Sequence, residues 1–225
     1  MKYTLEEILN RLKSLANPVN VEGMARFGIN PQGTLGISIP ALRQIAKETG
    51  KNHQLAGELW ESGGHEARIL ASMVDEPHLV DEQQLERWVK DFDSWDVCDQ
   101  VCGMIGALPV APQKAMQWSE RQEEFVKRAG FALMAELAYH DKKASDELFI
   151  SFFIPIKREA IDGRNFVRKA VNWALRNIGK RNARLNRLSI QTAREIEKIG
   201  SKSARWIAAD ALRELTSAKV QKKFS

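Results

Sequence analysis

Apolar residues recur at three- and four-residue intervals through nearly the whole 225-residue chain, and alternating apolar and polar runs long enough for a strand are absent. This periodicity predicts helices near 4–16, 20–28, 38–50, 53–61, 64–74, 82–91, 94–107, 111–118, 120–139, 143–154, 164–180, 189–199 and 202–215. Short punctuated connections separate them: "ANP" at 16–18, "NPQG" at 30–33, "SGG" at 62–64, "EP" at 76–77, "LPVAP" at 108–112 and "DGRN" at 162–165. None reads as an interdomain linker, so the expectation is a single all-α domain over 1–225. The closing "SAKVQKKFS" reads as a frayed basic end.

A weak internal repeat refines the fold class. "FVKRAGFALM" (125–134) aligns with "FVRKAVNWAL" (166–175) at an offset of 41, and "RKAVNWALR" (168–176) aligns with "RWIAADALR" (205–213) at an offset of 37. "EARILASMV" (66–74) shows a similar pattern of small residues. Helix pairs repeating at this interval predict a HEAT-like α-α superhelix, because one pair cannot bury its apolar face alone and stacked neighbours can. Such a solenoid offers a concave groove.

Polar residues within the pattern then stand out by position. At about 100° per residue, Lys169, Trp173, Arg176 and Lys180 fall within roughly 40° of one another on the helix at 164–180, while Ala170, Val171, Ala174, Leu175 and Ile178 form the core side. Trp173 therefore sits on the basic face, where an aromatic flanked by cations suits contact with nucleic acid. In "DSWDVCDQVCGMIGAL" (93–108), Val97, Val101, Met104, Ile105 and Leu108 form the core side, and Trp95 and Asp99 share the opposite stripe above Cys102, Gly103 and Gly106. Asp93 or Ser94 can cap this helix, and Asp96 in its first turn suits the helix dipole. Asp99 has neither explanation. It reads either as a solvated carboxylate or as a functional one over a patch that lets another surface come close. Arg128 likewise lies opposite the apolar stripe of its helix.

Charge gives the open face a direction. Residues 1–119 hold 11 Lys and Arg against 16 Asp and Glu, net −5, whereas 120–225 hold 23 against 13, net +10. Between 157 and 187 ten basic residues face only Glu159 and Asp162. This excess suggests a polyanion partner, with a well-solvated helical face as the plain alternative.

Several function classes are not expected. Cys98 and Cys102 are four apart on one predicted helix, where a disulfide would strain the geometry, so both are expected reduced and packed. The four histidines show no ligand spacing, so neither metal nor cofactor is expected. No run of 18 apolar residues occurs, and the first helix is amphipathic, so a soluble, cytoplasmic protein without membrane contact is expected; a nucleoid-associated monomer is a separate expectation.

Four segments together match a known pattern: "EGMARF" (22–27), "LGISIPALRQIAKE" (35–48), "SWDVCDQV" (94–101) with "FVKRA" (125–129), and "FVRKAVNWALRNIGKRN" (166–182). In these the chain resembles the AlkD/AlkC-like superfamily of DNA alkylation repair enzymes, HEAT-repeat glycosylases for alkylated purines. The resemblance implies that Asp99 is the catalytic carboxylate and that Trp95 and Trp173 flank the sugar of the lesion. It also implies that Arg128 and Arg176 contact double-stranded DNA carrying alkylated bases; Lys169 and Lys180, from the basic stripe, and Phe27, near the expected site, are further expected DNA contacts. Phe27 departs from the pattern, standing where purine-excising members carry Tyr after "MAR". Its missing hydroxyl motivates an alternative, a non-catalytic binder of damaged, distorted or branched DNA. A scaffold for a protein partner rests on architecture alone.

The chemistry accords with the implied roles. A purine alkylated at N3 or N7 is already a cation, so it departs neutral without a general acid. What remains is to stabilise the positive charge developing on the deoxyribose, for which a fixed carboxylate and aromatic faces suffice. The resemblance further implies that the base need not be flipped into a pocket, unlike most base-excising enzymes.

Overall fold

The computed structural model describes residues 3–224. Those residues contain no strand; the chain runs through fourteen described α-helices and one 3-10 turn at Pro77–Leu79. It forms two compact units, residues 1–104 and 105–225.

The first unit contains α1 (Leu5–Ser14), α2 (Pro18–Arg26), α3 (Ile39–Thr49), α4 (His53–Glu61), α5 (His65–Val74), α6 (Glu82–Lys90) and nearly all of α7 (Trp95–Ile105). Local polar residues fix where these helices begin. Thr4 and Glu7 form a reciprocal capping box on α1, and the side chains of Asn17, Asn52 and Asp81 accept from the first turns of α2, α4 and α6. The core is aromatic where α4 meets α6: Trp60 stacks on Trp88 with centroids 4.1 Å apart, and Phe92 meets Trp60 edge-on. The Trp60 indole N–H still finds an acceptor, donating to Asp91 Oδ2 at 2.8 Å.

The second unit holds α8 (Ala111–Ser119), α9 (Glu124–His140), α10 (Asp146–Glu159), α11 (Asn165–Ile178), α12 (Ala183–Glu197), α13 (Lys202–Leu215) and α14 (Ala218–Gln221). Each even-numbered helix from α8 to α12 packs on the odd-numbered helix that follows it; α9, α11 and α13 also pack side by side in one row, and α8, α10 and α12 in a second. Polar rungs tie each hairpin to the next at a separation of 38 residues. Arg128 Nη1 donates to the Phe166 carbonyl at 2.8 Å, Lys157 Nζ to Glu195 at 3.0 Å, Asn172 Nδ2 to Asp210 at 2.6 Å and Arg176 Nη1 to Glu214 at 2.8 Å. Phe125 stacks on Phe166 with centroids 5.5 Å apart. Lys157–Glu195 joins α10 to α12, whereas the other rungs join α9, α11 and α13, the helices that carry the aligned segments at 125–134, 166–175 and 205–213, so the weak sequence repeat corresponds to successive helices of one row.

Several boundaries differ from the sequence pattern by a few residues, among them the helix expected from 120, which begins at Glu124, and three differences are larger. The helix expected to end at 154 continues through Pro155 to Glu159, because Phe149, Phe152, Phe153 and Ile156 form a buried row that offsets the amide hydrogen bond proline lacks. The helix expected from 189 begins at Ala183, where Asn182 accepts from the Leu185 N–H at 2.9 Å and donates to Asp146 at 2.8 Å. The tail forms α14, capped by Ser217 and anchored by Val220, which is 4% exposed.

Candidate nucleic-acid interface

The Trp95–Asp99 stripe depends on how the start of α7 is held, and four polar contacts within the first unit hold it. The Asn30 main-chain N–H donates to Ser94 Oγ at 2.9 Å, and the Asn30 side chain donates to Asp93 Oδ2 at 2.7 Å. His65 Nε2 lies 3.0 Å from Asp96 Oδ2, and the Trp95 indole N–H donates to the Phe27 carbonyl at 3.1 Å. Asp93 is thus engaged by a neighbouring loop, and Asp96 by His65 as well as by the Val97 N–H at the helix start, at 3.0 Å. Burial pulls the His65 pKa down, but the hydrogen bond and charge of Asp96, with Glu66 and Asp93, outweigh it and leave it above the ordinary 6.5.

Beneath these contacts lies a buried carboxylate. Glu66, 1% exposed, accepts from the N–H groups of Leu35, Gly36 and Ile37 at 2.8, 2.7 and 3.1 Å. Gly36 has φ +80°, and a Cβ there would stand 2.3 Å from the Asn17 carbonyl oxygen, so only glycine fits. The loop so fixed forms one wall of an open hollow of about 550 Å³ bounded by Val19, Met24, Phe27, Ile29, Ile37 and Trp95. Phe27 stands at its rim, 75% exposed.

On α7 itself, Val97, Val101, Met104 and Ile105 are buried, as the pattern predicts. Cys102 is also fully buried, although the helical wheel places it on the open side beneath Asp99; the apolar arc of this helix is wider than its aliphatic residues indicate. Both cysteines are free thiols. Trp95 and Asp99 are half-buried, and Gly103 leaves open space where a side chain would stand.

In the second unit, Lys169 is exposed and Trp173 half-buried on α11. Arg176 and Lys180 are also half-buried and converge on one carboxylate: Lys180 Nζ lies 3.0 Å from Glu214, which Arg176 also contacts, and Arg176 lies 3.4 Å from Asp210. Burial raises the Glu214 pKa, but Lys180 and Arg176 outweigh that effect and hold it below the usual carboxylate value. Arg128 is only 5% exposed, with one guanidinium nitrogen on the Phe166 carbonyl. Much of the basic excess is locally matched, since Lys157, Arg158, Arg164 and Arg184 also pair with carboxylates. Among the described residues, no group of three or more His, Cys, Asp or Glu is placed to hold a metal ion, and no helix is long and apolar enough to cross a membrane.

A family profile described as DNA alkylation repair enzyme matches residues 8–215. The chain belongs to the DNA alkylation repair enzyme family. Its HEAT-like repeat fold is shared with a solved structure from "a new family of proteins related to the HEAT-like repeat DNA glycosylases with affinity for branched DNA structures", at a TM-score of 0.80 and 18% identity over 95% of this chain and 96% of that one. Two curated relatives are the uncharacterised proteins Lin0241 of Listeria innocua, 25% identical, and Lmo0209 of Listeria monocytogenes, 24% identical. Each match covers 59% of this chain, which spans about 62% of the length of either relative.

Within this alkylation repair fold, sequence reasoning missed four positions. His65 appears in the sequence as a lone histidine, and only the fold brings it to Asp96. Asp210 and Glu214 belong to the 205–213 repeat and its edge, yet nothing in the spacing says that they face Arg176. Trp206 carried the one usable signal, because the offset of 37 aligns it with Lys169 of the basic stripe.

Proposed function

We propose that the chain is a DNA glycosylase that releases cationic alkylated purines, of the 3-methyladenine and 7-methylguanine type, from duplex DNA in base excision repair. The observation that carries this reading is the pair on α7: within a DNA alkylation repair enzyme, Trp95 and Asp99 stand one helical turn apart, and the Trp95 indole is fixed through its bond to the Phe27 carbonyl. In this reading the bond from deoxyribose C1′ to the purine nitrogen breaks, and the base leaves neutral with the electron pair. The Asp99 carboxylate stabilises the cationic sugar, with Trp95 lying against it, and Trp173 serves as an aromatic DNA contact on the second unit. Water then adds at C1′ and loses a proton, giving an abasic site. Lys169, Arg176, Lys180 and Arg128 supply or support contacts to the phosphate backbone, which position the duplex without reading sequence.

The deciding measurement is release of 7-methylguanine and 3-methyladenine from methylated duplex DNA. Asp99→Asn is expected to lower release by roughly a hundredfold or more while the melting temperature stays within a few degrees. Release no faster than the uncatalysed rate, or an unimpaired Asp99→Asn enzyme, overturns the assignment. A second reading, a non-catalytic binder of branched or distorted DNA, is favoured by Phe27 in place of a hydroxyl-bearing residue and by the branched-DNA affinity of the structurally similar family. Salt-sensitive DNA binding without base release supports it.

A further inference from the structure

The tryptophans divide by environment. Trp60, Trp88 and Trp118 are at most 2% exposed and belong to the cores of their units. Trp95 and Trp173 are half-buried on α7 and α11, whereas Trp206 on α13 is 37% exposed. The function proposed above makes no use of it.

The repeat register says where Trp206 stands. In the repeat alignment, at an offset of 37 between α11 and α13, Trp206 takes the position of Lys169 and Arg213 that of Arg176. Lys202, Trp206, Ala209 and Arg213 of α13, which align with Asn165, Lys169, Asn172 and Arg176 of α11, are all exposed. Since α11 and α13 pack side by side, Trp206 lies one helix along the row from the stripe that carries Trp173. Its surroundings are cationic: the Arg168 guanidinium carbon lies 5.0 Å from the ring centroid, and Lys202 and Arg205 are exposed in the same and the adjoining turn.

An exposed indole among three cations is poorly explained by stability alone, because a cation–π contact at the surface contributes only about 0.5–1 kcal/mol and a smaller side chain would expose less apolar area. A ring flanked by Arg and Lys is what binds an unstacked base, where the aromatic face takes the base and the cations take the adjoining phosphates. The bases of an intact duplex present only their edges in the grooves, so such a ring selects strands whose bases are already free. We infer that Trp206, with Arg168, Lys202 and Arg205, forms a second DNA-contacting platform on α13 that takes an unpaired base of a single-stranded or forked segment.

This rests on the reading of the chain as a DNA-binding protein but not on glycosylase activity. The test uses the full chain and three oligonucleotide probes of equal length: blunt duplex, forked duplex and a single-stranded thymidine homopolymer. Trp206→Ala is expected to weaken binding of the fork and the single strand by roughly tenfold and of the blunt duplex by less than about twofold, and Trp206→Phe to keep most of the affinity. Equal weakening on all three probes, or none on any, overturns the platform. Arg168→Gln serves as a second variant: because the single strand meets both the ring and its cations, a loss confined to fork and single strand supports the inference, and an unchanged profile alongside a fully impaired Trp206→Phe overturns it. Melting curves of each variant establish that it is folded. Failure of every probe to bind the unaltered protein at low salt sinks the DNA-binding reading itself, a result separate from a missing preference for unpaired strands.

Discussion

At Gly130 a missing side chain decides how closely two helices meet. A Cβ at this position in α9 would stand 2.4 Å from the Ser119 main-chain nitrogen and 2.9 Å from the Ala115 carbonyl, so α8 and α9 touch backbone to side-chain-free backbone. Gly130→Ala is expected to lower stability by about 2 kcal/mol, read from urea unfolding, because neither contact atom belongs to a side chain that can rotate away. This constraint was not legible in the sequence. The repeat alignment pairs Gly130 with Val171, also buried, and helical periodicity assigns both positions equally to a core face. Trp95 and Asp99 were legible for the opposite reason: they are polar or aromatic positions on an arc that the aliphatic pattern left unassigned, and one helix suffices to show that. Glu66 lies between these cases. Its residue type announces charge, but its three main-chain donors come from residues about thirty positions earlier in the chain, and only the folded loop reveals them.

Between elements, the contact that bears most on the proposed site is the one fastening α7 to α5. His65 is the first residue of α5, Asp96 is in the first turn of α7, and their contact at 3.0 Å is 3% and 12% exposed on its two sides. A histidine whose folded pKa lies above its unfolded 6.5 contributes stability that is fully present below pH 6.5 and is lost as pH rises through the folded value. The melting-temperature difference between the unaltered protein and His65→Gln is therefore expected to be widest near pH 6 and to shrink toward pH 9. A gap independent of pH removes the ionised pair as its cause. Helix identity was readable from periodicity, whereas helix limits were not. Pro155 and the Ala183 start each carry a local signal, a breaker and a weak pattern, that neighbouring helices override by burying Phe152 and Ile156 in one case and by pairing Asn182 with Asp146 in the other.

For the molecule as a whole, charge is unevenly shared: residues 1–104 carry 10 Lys and Arg against 16 Asp and Glu, net −6, and residues 105–225 carry 24 against 13, net +11. That asymmetry was plain in the sequence, but the number of cations ready to meet phosphate was not, because Glu214 and Asp210 already engage Arg176 and Lys180. On the proposed DNA-binding reading, a phosphate reaching Arg176 or Lys180 competes with these carboxylates. Glu214→Gln is accordingly expected to tighten binding of undamaged duplex several-fold at low salt and to steepen the plot of log K against log salt by about one to two. Weaker binding instead assigns Glu214 to holding the cations in place. The rungs at 38-residue separation have a consequence for how this half of the chain can change length. One residue inserted early in α11 turns Asn172 and Arg176 by about 100° away from Asp210 and Glu214 while leaving Phe166 in register, so the helix loses both rungs at once. A residue added to a loop disturbs neither, and a whole added hairpin brings its own rungs. Descendants of this sequence are therefore expected to differ in length at the loops or by complete hairpins, with single insertions excluded from the helices between.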